Sequence, residues 1–290
     1  MTKQSLLIEL HQKHGAVFDE IDHWLLPAHF GDPTAEYKSV RSAAGLFDLS
    51  HRALLQFTGP DRVSFLQGML SNDLRVLKMF EGQRATLLTQ QGKVIADVRV
   101  LCAMNSIYLD FWEPLKEKIL THLNRYLVAD EVEINDPSGD WKTLSLQGPQ
   151  AEILLGRLFD PAKLPALADH HAMVEFNAAP ICVVRADRSG ENGFDLIVQN
   201  SLLMAFAQGL AELGASWVGE QAQNILRVEA GIPRYGIDFT EDNLLLEVGL
   251  DHAVSFTKGC YLGQEVVERI RSRGHVNKKL CGLLLEGDTP

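Results

Sequence analysis

The chain has 290 residues, 46% hydrophobic and 22% charged, with 23 glycines and 11 prolines, a balance that excludes disordered and fibrous proteins and fits one large domain or two structural halves. No unbroken apolar run approaches the roughly 18 residues of a membrane span, and the N-terminus has no apolar signal core, so the cytoplasm is the expected compartment. Lys and Arg number 27 against 38 Asp and Glu, and the net charge of −11 disfavours broad attraction to nucleic acid or anionic membrane.

Taken in chain order, a helical arm is expected over residues 3–14 and 33–44. Residues 54–60 then read as a strand and a tight Gly59-Pro60 turn, followed by a helix over 61–70 with apolar residues at helical spacing. Residues 143–149 and 150–159 read the same way around Gly148-Pro149, and the two glycines stand 89 positions apart. At that offset Ile107-Tyr108-Leu109 before a helix over 113–126 matches Leu196-Ile197-Val198 before a helix over 201–213. The pattern predicts strand hairpins formed by 85–101 with 107–111 and by 173–187 with 194–199, so each half follows the ferredoxin-like split βαβ order. The predicted organisation is an arm (1–52), a first half (about 53–136), a second half (about 142–218) and a connector over 219–279. Residues 279–285 look like the opening strand of another sheet with no partner in the chain.

Three polar segments stand apart from core and ordinary surface. Alternation along residues 94–100 places Ile95, Asp97 and Arg99 on one strand face, and a carboxylate there is hydrogen-bonded, paired or chemically active; a surface Asp97–Arg99 pair is equally consistent with the spacing. Asp195 enters a strand after the glycine-rich stretch 188–193 and is a weak candidate for gripping a heterocycle through both oxygens. In Lys258-Gly-Cys-Tyr-Leu-Gly-Gln-Glu265 a helix begins near Gly263, a setting in which amide dipoles and Lys258 would activate the Cys260 thiol. Arg269, Arg271, Arg273, Lys278 and Lys279 follow, either as a solvated face or as a grip for carboxylates or phosphates. Cys102, Cys182, Cys260 and Cys281 contain no C-x-x-C pair, no histidine has metal-ligand spacing, and no P-loop, G-x-S-x-G or G-x-G-x-x-G is present.

The 258–265 string, with Arg269 and Arg273-Gly274, resembles the signature of the YgfZ-type folate-binding proteins, relatives of the glycine cleavage T-protein (aminomethyltransferase). Residues 37–51, 71–73 and 227–236 are similar to the same superfamily. The resemblance implies an α+β, T-protein-like fold in which two ferredoxin-like pseudo-repeats enclose a central folate pocket, with residues 280–290 as the first strand of a truncated C-terminal β-barrel. It places Asp97 beside the reactive N5 of tetrahydrofolate and Asp195 on the pterin ring, with Arg227, Tyr235, Lys258, Gln264 and Arg269 as further cofactor-binding residues and Cys260 as a functional thiol. It also implies a monomer that assists iron-sulfur client enzymes and serves tRNA modification. The alternatives are a folate-dependent aminomethyl or one-carbon transferase using Asp97, and a folate-binding scaffold without catalysis. The sequence departs from the T-protein pattern at Gln223, where that family has arginine, and over Asp187–Glu191.

Overall fold

The two Gly-Pro turns are fixed by backbone geometry. Gly59 and Gly148 take φ values of +95° and +123°, and a Cβ on Gly148 would lie 2.6 Å from the carbonyl oxygens of both Val40 and Ala43. Only glycine turns that corner without strain or collision, so both ends of the repeat carry it. The prolines stand two residues ahead of their helices rather than at the first helical position.

The computed structural model describes residues 2–283. The arm comprises β1 (Lys3–Gln4), α1 (Ile8–Lys13), β2 (Val17–Ile21), β3 (Trp24–His29), α2 (Pro33–Ser42) and β4 (Gly45–Asp48). The first half follows as β5 (Arg52–Thr58), α3 (Arg62–Met69), β6 (Gly82–Leu88), β7 (Val94–Cys102), β8 (Ile107–Trp112), α4 (Lys116–Tyr126) and β9 (Glu133–Asn135). The second half repeats that order as β10 (Trp141–Gln147), α5 (Ala151–Leu155), β11 (His171–Phe176), β12 (Ala179–Arg185), β13 (Gly193–Gln199), α6 (Asn200–Glu212) and β14 (Ser216–Val218). Helices α7 (Glu220–Glu229) and α8 (Gln264–Arg273) complete the described chain.

The first half forms a sheet ordered β6-β7-β8-β5-β9, and the second forms β11-β12-β13-β10-β4-β14. The strand orders are equivalent apart from β4, which is inserted between β10 and β14, antiparallel to one and parallel to the other. The arm is thus partly sheet, and β1, β3 and β2 form a small sheet of their own. Its short strands carry no clear alternation, which is why the sequence suggested helices alone.

Strand alternation sends Leu55, Phe57, Leu109 and Phe111 to one side of the first sheet, where they pack with Phe65, Leu66, Ile119 and Leu123 of α3 and α4. Leu144, Leu146, Phe194 and Leu196 do the same against Leu154, Leu203 and Phe206 of the second half. Each such phenylalanine or leucine contributes roughly 1.5–3 kcal/mol through burial. The opposite sheet faces meet each other across a seam. That seam carries one small apolar cluster built on Leu54, Leu101, Val184 and Ile197, and is otherwise largely polar.

Several expectations change in detail. The ferredoxin-like pseudo-repeats are present with one further strand each, because the segments 85–101 and 173–187 are both folded back on themselves. Gly92 makes the first turn with φ +73°, and Asn177 and Ala178 make the second with φ +50° and +61°. Ile95 is the extra residue of a β-bulge, since Ala96 pairs with Leu87 and Val94 with Leu88. The bulge turns Ile95 into the helix-side core and leaves Asp97 and Arg99 on the seam face. Residues 280–283 form no strand, Leu280 donates its amide to the Glu247 carbonyl at 2.8 Å, and the rest of the expected barrel strand lies outside the described residues.

The arm is fastened through Asp48, whose carboxylate accepts hydrogen bonds from Ser5 and from Ser50 and pairs with His11 Nε2 at 2.8 Å, all buried. Burial pushes this carboxyl up, but His11 and the two hydroxyls outweigh it and hold it at about 2. A folded-state value below the ordinary carboxylate value of about 3.9 contributes stability above that pH and loses it as pH falls toward 2. Urea unfolding of wild type and Asp48→Asn is therefore expected to differ most above pH 4, with the gap narrowing by roughly 2 kcal/mol toward pH 2. A gap independent of pH contradicts the assignment.

Candidate functional site

Strand register places the seam chemistry. Arg84 of β6 lies opposite Arg99 of β7, Thr86 opposite Asp97, and Arg99 opposite Asp110 of β8. These side chains share one face of the first sheet and look toward the second, where β13 presents Asp195. Two contiguous cavities of about 110 and 350 Å³ open between the halves, and Arg84, Asp97, Asp187, Ile232 and Pro233 line both. The smaller also has His51, Trp112, Arg188, Arg227 and Tyr235 in its walls, and the larger has Asp169 and His252.

The floor is an ion network. Arg99 is fully buried and lies 2.6 Å from Asp195, 2.8 Å from Asp169 and 3.6 Å from Asp110. Burial alone would strip its charge, but those three carboxylates outweigh it and hold the guanidinium charged more firmly than in water. Arg52 pairs with Asp110 at 2.7 Å, and Arg188 forks onto Asp195 through Nε at 2.8 Å and Nη2 at 2.6 Å. Burial raises Asp195, yet Arg188 and Arg99 keep its carboxyl far below the usual range.

Against this background Asp97 is unlike its neighbours. Half-buried and facing both cavities, it has neither a hydrogen bond nor an ion pair with any described residue. Across the same cavities the Arg84 guanidinium has one ion pair, a 3.3 Å contact to Asp169, and burial together with the nearby Arg99 brings it down to about 10, against the opposing pull of Asp169. His51 is neutral because burial pulls it down to about 4, and its Nδ1 has no hydrogen-bond partner.

Of the residues singled out in the sequence, Asp97, Arg227 and Tyr235 line the cavity. Arg227 is held by Asn224 at 2.8 Å and by Asp238, and the Tyr235 ring lies 6.0 Å from that of Trp112. Asp195 is close by but fully buried beneath Arg188, so a planar ring entering the cavity meets that guanidinium, and the paired acceptor expected for a pterin is already engaged. Lys258 is a structural residue. Its ammonium donates to the carbonyls of Gln67, Leu70 and Asn72 at 2.7, 2.7 and 2.9 Å, where it caps α3, and burial lowers it to about 8. Its ammonium is therefore engaged by three main-chain carbonyls. Cys260 is exposed and lines neither cavity. Gln264 opens α8, and Arg269 is an exposed partner of Glu265 four residues earlier; both are absent from the cavity walls. The surface-pair alternative for Asp97 and Arg99 also falls, because Arg99 pairs with other carboxylates.

Sequence reasoning passed over Arg84, His51, Asp169 and Arg188. Alternation does put Arg84 on the Asp97 face once the β6–β7 turn is placed, but the other three reach the site from loops whose convergence only the packing of the halves creates.

The GCVT N-terminal domain family model matches residues 7–258. The chain belongs to this family. It is 33% identical over 289 residues to the aminomethyltransferase of Rubrobacter xylanophilus, covering 98% of this chain and 77% of that protein. It is 31% identical to the aminomethyltransferase of Caldanaerobacter subterraneus, covering 99% and 78%. The crystal structure of glycine cleavage system aminomethyltransferase T from Bartonella henselae superposes with a TM-score of 0.84 at 27% identity, covering 94% of this chain and 76% of that one. The α+β T-protein-like fold is therefore that of the family, and tetrahydrofolate is the one-carbon acceptor of the family's aminomethyltransferases. No helix among the described residues is long and apolar enough to cross a membrane.

Removing the Asp195 carboxylate leaves two guanidinium groups facing each other in the seam. Asp195→Ala is expected to lower stability by about 3–5 kcal/mol, read as an earlier thermal or denaturant transition. A loss under about 1 kcal/mol would mean that water screens these charges.

Proposed function

We propose that this member of the family binds tetrahydrofolate in the cavity between its halves and acts as an aminomethyl-type one-carbon transferase. The observation that carries this reading is Asp97: a carboxylate without a hydrogen bond or ion pair among the described residues, facing a cavity above a floor where Asp110, Asp169 and Asp195 are all paired with arginine. The two cavities together fall within the size range of small-molecule sites, and Trp112 with Tyr235 offers an aromatic wall for a planar ring. When bound, tetrahydrofolate supplies nitrogen that takes up a one-carbon unit. Asp97 would stabilise positive charge developing at an adjacent nitrogen and take or return a proton through a carboxylate oxygen. Arg84 and Arg227 supply guanidinium donors to the carbonyl or carboxylate oxygens of a ligand.

Gln223, Asp187 and Arg188, where the sequence leaves the T-protein pattern, all line the smaller cavity. Substitutions gathered at the binding surface support a one-carbon donor different from that of the glycine cleavage enzyme. In an assay of folate-dependent release from an aminomethyl donor, Asp97→Asn is expected to lower kcat by about 10²–10⁴-fold while the thermal transition stays in place. Unchanged kcat would remove Asp97 from the reaction.

A second reading, a YgfZ-type role in assembling or repairing iron-sulfur enzymes, with service to tRNA modification, is favoured by Cys260. Its thiol is exposed, outside the cavity, on the turn that carries the family-like string, where a macromolecular partner could reach it. On this reading Cys260→Ser fails to restore iron-sulfur enzyme activity in a deletion strain but still binds tetrahydrofolate in calorimetry; full restoration would rule the thiol out.

A further inference from the structure

Besides the contiguous pair of cavities that the proposed transfer reaction uses, a further cavity lies along the seam. In the polar cavity the first half contributes Arg52 at the start of β5 and Arg84 on β6, while the second half contributes Asp187 and Arg188 just beyond β12. The 89-residue offset carries Arg52 to Trp141, at the start of β10, and Arg84 to Met173, on β11. Both line a separate cavity of about 320 Å³, closed from the other side by Leu101 of β7 and by Ala103 just beyond it. The pseudo-symmetric counterpart of the polar site is thus a cavity with different chemistry.

None of the side chains lining this second cavity carries a charge: its walls include the rings of Phe80, Tyr108, Trp141 and His171 and the thiol of Cys182. Burial keeps His171 neutral, at about 4, and pushes the Cys182 thiol up to about 12. The cavity walls include two exposed apolar side chains, Phe80 and Met173. Phe80, 39% exposed, is held at φ +70°, a strained conformation for a bulky residue, by its amide on Cys102 O at 2.8 Å and its carbonyl on His171 N at 2.9 Å. This conformation leaves an aromatic ring at the cavity's exposed side, which the 47% exposed Met173 also lines.

We infer that this second cavity is a binding site for a small, uncharged, planar aromatic molecule, held between the rings of its walls. A charged ligand would lose its hydration against walls that offer no countercharge, whereas stacked and edge-on rings accept a flat apolar one.

Indole is the probe, titrated into the full chain while the methyl NMR signals of Met173 and of Met204, on the outer helix α6, are followed. Met173 should shift saturably and Met204 should not, benzoate should leave both in place, and tetrahydrofolate added afterwards should not reverse the shift. Calorimetry on Ala103→Trp, which fills the cavity, and on Met173→Glu, which charges its exposed side, should show indole binding at least tenfold weaker. A Met173 signal that does not move up to the solubility limit of indole, displacement by tetrahydrofolate, benzoate binding as tightly as indole, or full affinity in a variant that melts like wild type would each overturn the site. The Met173 readout needs no variant, so a misfolded Ala103→Trp leaves the test intact. Since the probe reports on this cavity alone, its failure is distinct from failure of the folate reading.

Discussion

Arg99 sits in the middle of the molecule with no solvent to hydrate it, and the seam is organised around matching its charge. An unpaired guanidinium there would be prohibitively unstable, so three carboxylates converge on it. Asp110 comes from the same sheet, whereas Asp169 and Asp195 come from the other half, which makes the pairing a clamp between the repeats. The clamp has a consequence for the rest of the interface. Sheets that meet through ions and their hydrogen bonds cannot close into a dry apolar core, and the buried apolar contact is one small cluster of Leu54, Leu101, Val184 and Ile197 with Tyr108, Trp141 and Cys182 packed against it.

The same arithmetic isolates Asp97. Arg52, Arg84, Arg99 and Arg188 bring four positive charges to the seam, and three carboxylates, Asp110, Asp169 and Asp195, contact all four of them. Asp97 pairs with none of them, and Arg84 has only its 3.3 Å contact to Asp169. The cavity thereby contains a carboxylate and a guanidinium with capacity to spare. This arrangement suits a ligand that bears both donors and acceptors.

Gene-level repetition of a fold need not repeat its chemistry. Backbone requirements such as those at Gly59 and Gly148 survive in both halves because neither corner can be turned otherwise. The seam-facing side chains are free of that constraint. Arginines in one half stand where tryptophan and methionine stand in the other, and the two ends of the seam differ accordingly in polarity.

The two halves, their 89-residue offset and the helix-side cores were legible in the sequence, since Gly-Pro turns and apolar spacing are local properties of the chain. The polar strand carrying Asp97 was legible for the same reason, and Arg227 and Tyr235 through family resemblance. Lys258 misled because a charged residue in a motif says nothing of which way its amine points; only the open carbonyl end of α3 beside it decided that. Asp195 misled because its partner Arg188 lies in a glycine-rich turn whose path depends on packing. Local pattern thus determined which residues form strands, helices and corners, whereas which charges are neutralised, and so which remain available to a ligand, was decided by long-range convergence of loops and sheets that no spacing along the chain records.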